Sequence, residues 1–264
     1  MLMPHIKLKD ANFYYELHGS GYPLILISGY TCDHLVWMPI LESLSKKFQV
    51  LLFDNRGVGQ TTDDNLPLSA ELMAQDVISL ADHLNLQKPH IIGQSMGGTI
   101  AQCVASEYPD KIGKLAILTS VAKWRRAMLD GLKSTLTMRK NNISFDLIFE
   151  VLMPWIFGEA FLSDKAGIAT FKELMLANPY PQSLEDQIRQ FQVLENFDGR
   201  EQLKKITAET LVVHGMQDII TLLDESAYLV EHIPQAEFAS VDAAHAVVLE
   251  APQEVSRLLH EFLA

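Results

Sequence analysis

Cysteine is nearly absent: the chain has 264 residues and only two cysteines, Cys32 and Cys103. They lie far apart without metal-ligand spacing, which argues against a disulfide framework and a zinc site and makes a reducing compartment the expected setting. Basic residues are also scarce, 21 against 33 acidic ones, for a formal charge of −12. An acidic chain repels nucleic acid and anionic lipid, so neither is expected as a partner. No apolar run reaches the roughly 18 residues of a membrane span, and residues 1–10 lack a basic stretch followed by a long apolar core. The protein is therefore expected to be cytoplasmic. Internal repeats and low-complexity tracts are missing too.

What is present is enough apolar material, 48% of residues, for the core of one large α/β domain with an insertion. Short apolar runs at 24–27, 50–53, 91–92, 115–118 and 211–213 are separated by helix-length segments, the pattern of parallel strands buried on both faces. Residues 71–86 place Leu72, Val77, Leu80, Ala81 and Leu84 near one helical face, with Asp76 and Asp82 expected outside. Residues 13–18, followed by Gly19-Ser20-Gly21, read as an antiparallel edge hairpin leading into the first buried strand. The alternation predicts a doubly wound, mostly parallel sheet. It stops over residues 121–204, a helical and aromatic stretch expected to form an inserted cap on a core made of residues 1–120 and 205–264. A terminal helix is expected over 255–263.

Gly93-Gln94-Ser95-Met96-Gly97 follows a buried strand and opens a helix that ends at Pro109. A serine held on such a strand-to-helix turn needs nearly side-chain-free neighbours, so the flanking glycines suit a nucleophile. The hydroxyl alone is a poor nucleophile at pH 7 and requires a base, an acid that orients the base, and donors for the oxyanion. Asp218 follows the 211–213 strand, and His245 follows the strand expected at Ala236–Val241. Their order along the chain, acid then histidine, is the one this topology requires. His245 would take the Ser95 proton and deliver it to the leaving group, while Asp218 holds the histidine tautomer. Were Asp218 only a loop cap, Asp242 or Asp224 would be the substitute acid.

Five ordered stretches resemble the α/β-hydrolase superfamily: Ser28-Gly29-Tyr30, residues 54–59 (Asp-Asn-Arg-Gly-Val-Gly), residues 93–98 around Ser95, residues 214–218 ending in Asp218, and His245 followed by Glu250-Ala251-Pro252. The resemblance covers nearly the whole chain. It implies an α/β-hydrolase fold with about eight strands and a helical cap, no cofactor and no metal. It also implies an oxyanion hole made by the backbone amides of Tyr30 and Met96. Such donors, being preorganised, each stabilise the transition state by about 3 to 4 kcal/mol. The family usually has histidine where this chain has Ser28 and Gln94, which weakens any narrower assignment. An aspartate at the nucleophile position would serve epoxide or halide chemistry; Ser95 points instead to acyl transfer on an ester, lactone, thioester or amide. Small carboxylesterases, 3-oxoadipate enol-lactonase-like enzymes and pimeloyl-carrier-protein methyl esterases are the branches it most resembles.

Other residues have simpler explanations. The remaining histidines lack ligand spacing and read as structural, Cys103 as packing, and Asp54 with Arg56 as a turn or salt bridge. In the cap, Trp124 and Trp155 are the candidates to face substrate. Residues 121–142 hold six basic side chains, including Arg125 and Arg126, against Asp130 alone. A solvated helix face explains this; an entrance for an anionic small-molecule acyl substrate or an acidic acyl-carrier protein is the functional alternative. A receptor built on a hydrolase scaffold is the reading from another class.

Overall fold

A computed structural model describes residues 4–264. Its strands are β1 (His5–Leu8), β2 (Ala11–His18), β3 (Tyr22–Ile27), β4 (Phe48–Phe53), β5 (His90–Gln94), β6 (Leu115–Leu118), β7 (Thr210–Gly215) and β8 (Ala236–Val241). They form one sheet in the order β1-β2-β4-β3-β5-β6-β7-β8, parallel from β4 to β8 and antiparallel at β1 and β2. The helices are α1 (Met38–Ser45), α2 (Ala70–His83), α3 (Met96–Glu107), α4 (Arg126–Lys140), α5 (Phe145–Ile156), α6 (Glu159–Ser163), α7 (Lys165–Ala177), α8 (Leu184–Asn196), α9 (Leu223–His232), α10 (Val247–Glu250) and α11 (Pro252–Leu263).

The period-2 alternation of strand side chains divides the core into two layers. Ile25, Ile27, Ile91, Leu115 and Ile117 point to one face, where α2 and α3 contribute Met73, Val77, Ile100 and Val104. Leu24, Leu26, Ile92, Ala116 and Leu118 point to the other, against Ile40 and Leu44 of α1 and Val255 and Leu259 of α11. Each fully buried aliphatic side chain stabilises the fold by roughly 1.5 to 3 kcal/mol. Helices α4 to α8 lie between β6 and β7. Met128 and Leu136 of α4 and Phe191 and Leu194 of α8 join the first layer, while Phe149, Met153 and Phe157 form a separate small cluster with Ala246.

Two expectations are corrected. The hairpin does not run from residues 13–18 into β3: β2 pairs backward with β1 and on its other side with β4, and β3 lies beyond β4. The Gly19-Ser20-Gly21 bend runs tight against the backbone of residues 45–48, where a Cβ on Gly19 would lie 2.2 Å from the Ser45 carbonyl oxygen. It therefore carries the chain across β4 rather than closing a two-strand turn. Asp76 of α2 does not face solvent either. It is buried, and Arg56, itself only 1% exposed, donates to it through Nε at 2.6 Å and Nη2 at 2.8 Å, with a further bond from Nη2 to Asp10. A paired carboxylate can occupy an apolar face that a free one cannot.

His90, at the start of β5, is buried and stacked on Tyr22 at a centroid distance of 4.3 Å. Its Nδ1 accepts the Lys114 backbone N–H at 2.8 Å, a contact that needs an unprotonated Nδ1. Burial and the Lys114 charge push its pKa down to about 4 from 6.5. The unfolded chain thus binds the extra proton between these values, and the stability held above pH 6.5 is lost as pH falls toward 4. Urea unfolding is expected to show a loss of up to about 3 kcal/mol across that window. His90→Asn, whose side-chain oxygen can take the same N–H, is expected to flatten this dependence; an unchanged slope in the variant would assign it elsewhere.

Candidate active site

Parallel strands bring their carboxyl ends to one edge of the sheet, so loops that are distant in sequence converge there. The strand order reverses between β3 and β5, and Tyr30 follows the first while Ser95 follows the second. Asp218 follows β7 and His245 follows β8.

Ser95 occupies the left-handed side of backbone space, with φ 56° and ψ −120°, between the last residue of β5 and the first of α3. Such a conformation is strained for a residue bearing a Cβ and persists only when its surroundings impose it. Here the Ser95 N–H donates to the Leu118 carbonyl at 2.9 Å, and the Ser120 hydroxyl donates to the Ser95 carbonyl at 2.7 Å. The glycines make the turn possible by close approach: a Cβ on Gly93 would lie 2.2 Å from the Gly97 carbonyl oxygen, and one on Gly97 would lie 2.0 Å from the Ile27 carbonyl oxygen.

Ser95, His245 and Asp218 are brought together. His245 Nε2 lies 2.9 Å from Ser95 Oγ, and His245 Nδ1 lies 2.9 Å from Asp218 Oδ2. Asp218 is buried and well supplied with donors: Oδ1 accepts the N–H groups of Ile220 and Thr221 at 2.7 and 3.0 Å, and Oδ2 accepts the Thr221 hydroxyl at 2.5 Å. Burial opposes its ionisation, but the adjacent His245 and the hydrogen bonds from His245 and Thr221 outweigh it, and its pKa is lowered. An ionised Asp218 fixes the proton of His245 on Nδ1 and leaves Nε2 to face the serine. The substitute acids lie elsewhere: Asp242 accepts from Gln217 Nε2 at 2.8 Å, and Asp224 is in the first turn of α9.

The amides of Met96 and Tyr30 take part in no hydrogen bond among the described residues, which leaves both free to donate. Ser28, in place of the usual histidine, ties this loop down: its hydroxyl donates to the Asp33 carbonyl at 3.1 Å and accepts Trp37 Nε1 at 3.0 Å. Gln94 is a positioning group, donating to the His245 carbonyl at 3.1 Å, and Thr119 donates to the same oxygen at 3.1 Å. Sequence reasoning missed Thr119 and the contacts of Glu250. The Glu250 carboxylate accepts Ala244 N–H at 3.1 Å and Gly158 N–H at 2.7 Å, bridging the histidine loop to the segment after α5. Its pKa is raised by burial, partly offset by those two donors. Glu250-Ala251-Pro252 was visible as a motif, but nothing local told which amides it would meet.

The other candidates lie on the inserted segment. Trp124 is buried in the main core and its Nε1 donates to Thr99 Oγ1 at 3.1 Å. Trp155 is half-exposed and lies over Gly131 of α4. Arg125 and Arg126 are both exposed, and Arg126 pairs with Asp130 at 2.7 Å. Lys123 pairs with Asp198 at 2.9 Å and Lys133 lies 3.9 Å from Glu195, so acids outside residues 121–142 offset part of that segment's positive charge. Among the described residues no cluster of His, Cys, Asp and Glu could hold a metal ion, and no helix is long and apolar enough to cross a membrane.

Comparison with known proteins places this geometry. The chain is 29% identical over 265 residues to a protein of Azorhizobium caulinodans named as the carbamate hydrolase RutD, covering 98% of each. It is 28% identical over 238 residues to 3-oxoadipate enol-lactonase 1 of Acinetobacter baylyi, covering 88% of this chain and 84% of the relative. The crystal structure of MGS-M2, an α/β-hydrolase enzyme from a Medee basin deep-sea metagenome library, superposes with a TM-score of 0.92 at 24% identity, covering 98% of this chain and 97% of that one. The family model for the α/β-hydrolase fold matches residues 22–252. With the eight-stranded sheet and the turn at Ser95 already in place, that match makes the chain a member of the α/β-hydrolase fold family.

Proposed function

We propose that this protein is a serine hydrolase that cleaves a small carboxylic ester, lactone or thioester through an acyl-enzyme on Ser95. The observation that carries the reading is the continuous line of contacts from Ser95 Oγ through His245 to the buried Asp218, each 2.9 Å long. In this scheme His245 removes the Ser95 proton as Oγ attacks the carbonyl carbon. The tetrahedral oxyanion is held by the amides of Met96 and Tyr30, and His245 then protonates the leaving alcohol, enol or thiol. Water, deprotonated by the same histidine, releases the acid and restores the serine. Residues 121–204 serve as the cap that covers the acyl group, and the reaction calls for no cofactor or metal.

The relatives' names fit acyl transfer: an enol lactone is a ring ester, and a carbamate carries an electrophilic carbonyl of the same kind. A carrier-linked methyl ester is a narrower variant; Lys123, Arg126 and Lys133 each lie near an acidic side chain, which offsets part of the positive charge of residues 121–142.

A panel of short and medium p-nitrophenyl esters and small lactones, run with and without a chelator, tests the proposal. Turnover that is unchanged by chelator and lost on stoichiometric labelling of Ser95 by a fluorophosphonate is expected. Negligible turnover across the panel, together with ligand-dependent thermal stabilisation, would instead favour a receptor.

A further inference from the structure

The oxyanion loop is held by the inserted helices as well as by the core. The turn from Gly29 to Cys32, closed by a Cys32 N–H to Gly29 carbonyl bond of 3.3 Å, presents the Tyr30 amide. Its third residue, Thr31, has φ 63°, an unfavourable conformation for a β-branched side chain. Something must therefore hold this turn against relaxation, and the contact lies on α8. Gln190, fully buried, accepts the Thr31 N–H on Oε1 at 3.0 Å. Its own orientation is fixed twice, by donation from Nε2 to the Arg56 carbonyl at 2.8 Å and by a bond of 3.0 Å from Gln182 Nε2 to Oε1. One turn earlier on the same face of α8, the Gln187 carbonyl accepts the Tyr30 hydroxyl at 3.2 Å. Arg56 in turn is locked by Asp76 and Asp10, so the clamp rests on a rigid support.

We propose that Gln190 is a positioning residue for catalysis: through the Thr31 amide it sets the turn that aims the Tyr30 N–H at the oxyanion. The inference rests on the serine-hydrolase reading and adds that the oxyanion loop is registered by a helix of the inserted segment. A donor that must meet charge developing only in the transition state acts on kcat, and small misplacement is costly. A merely structural glutamine would affect stability without that selectivity.

Gln190→Met keeps length and volume but deletes both polar atoms. Burst kinetics on a p-nitrophenyl ester and affinity for a trifluoromethyl ketone that adds to Ser95 are measured beside thermal midpoints. The expected result for Gln190→Met is an acylation rate lower by about 10- to 100-fold, a matching loss of ketone affinity and a substrate dissociation constant, read from the concentration dependence of the burst rate, within about twofold. Tyr30→Phe removes only the second tie and is expected to slow acylation a few-fold, which keeps the test open should Gln190→Met not fold. Acylation and ketone affinity at wild-type levels in the folded variants, whatever their thermal midpoints, would overturn the proposal. A wild type that neither turns over the ester nor is labelled at Ser95 by a fluorophosphonate, or a Ser95→Ala protein that keeps wild-type turnover, overturns the hydrolase reading and this inference together. A normal wild-type burst absent in Ser95→Ala isolates the result to Gln190.

Discussion

Ser95→Ala is expected to lower kcat/KM for any ester the wild type cleaves by about 10^5-fold or more, with substrate affinity nearly unchanged. The loss is large because, in the proposed mechanism, the hydroxyl is the attacking group, and neither His245 nor the amides of Met96 and Tyr30 can replace it. A residual rate above that of water is expected from the oxyanion donors acting on water attack. Asp218→Asn is expected to cost about 10^4-fold. The asparagine oxygen could still accept the Ile220 and Thr221 N–H groups, but the substitution removes the charge beside His245 and can present an N–H to Nδ1, favouring the tautomer with its proton toward the serine. Active-site titration with a fluorophosphonate separates the two variants: Ser95→Ala should take up no label, whereas Asp218→Asn should take it up slowly. A Ser95→Ala protein within tenfold of wild type would reject the acyl-enzyme mechanism outright.

Gly97→Ala is expected to damage stability and catalysis together. A Cβ there would sit 2.0 Å from the Ile27 carbonyl oxygen and 2.8 Å from that of Ser28, both backbone atoms that cannot swing aside. Relief requires the start of α3 to move away from the end of β3. The first carries Ser95 and Met96, and the second leads into Tyr30, so the separation opens the gap between nucleophile and oxyanion donors. Overpacking of this kind costs about 1 to 3 kcal/mol, and a shift near 1 Å at reacting groups costs about 100-fold in rate. Denaturant unfolding and kcat on the same preparation provide the check. A helix-interior glycine without such contacts would gain stability from alanine, so a stabilised Gly97→Ala protein would show that α3 and β3 are less closely packed than described.

The stretches that local chemistry governs were legible in the sequence. Apolar runs such as 24–27 and 115–118 had to be buried strands, because nothing else in their neighbourhood could solvate them. The serine turn was legible because close approach leaves glycine as the residue that fits, and the order of Ser95, Asp218 and His245 followed from a topology that collects strand ends at one edge. Asp76 was misread because amphipathic periodicity sorts residues by polarity and is blind to a partner 20 residues away. Arg56 supplies that partner and lets a carboxylate sit in the core. The hairpin was misread because the pairing of 13–18 is decided by β1 and β4 together, and a glycine-rich bend looks the same whether it closes a turn or crosses a strand.

The sequence by itself singled out Ser95, His245 and Asp218 as the proposed nucleophile, base and acid, because each would follow a strand in a fixed order, and the structure brings the three side chains together. The tertiary structure alone decided what steadies them. Thr119 and Gln94 meet at one carbonyl, Glu250 joins the histidine loop to the segment after α5, and Gln190 reaches the oxyanion turn from 159 positions away along the chain. Those contacts join backbone amides and carbonyls, which every residue but proline possesses as a pair, to side chains brought near only by packing. A sequence records which side chains exist but not which peptide groups they will face.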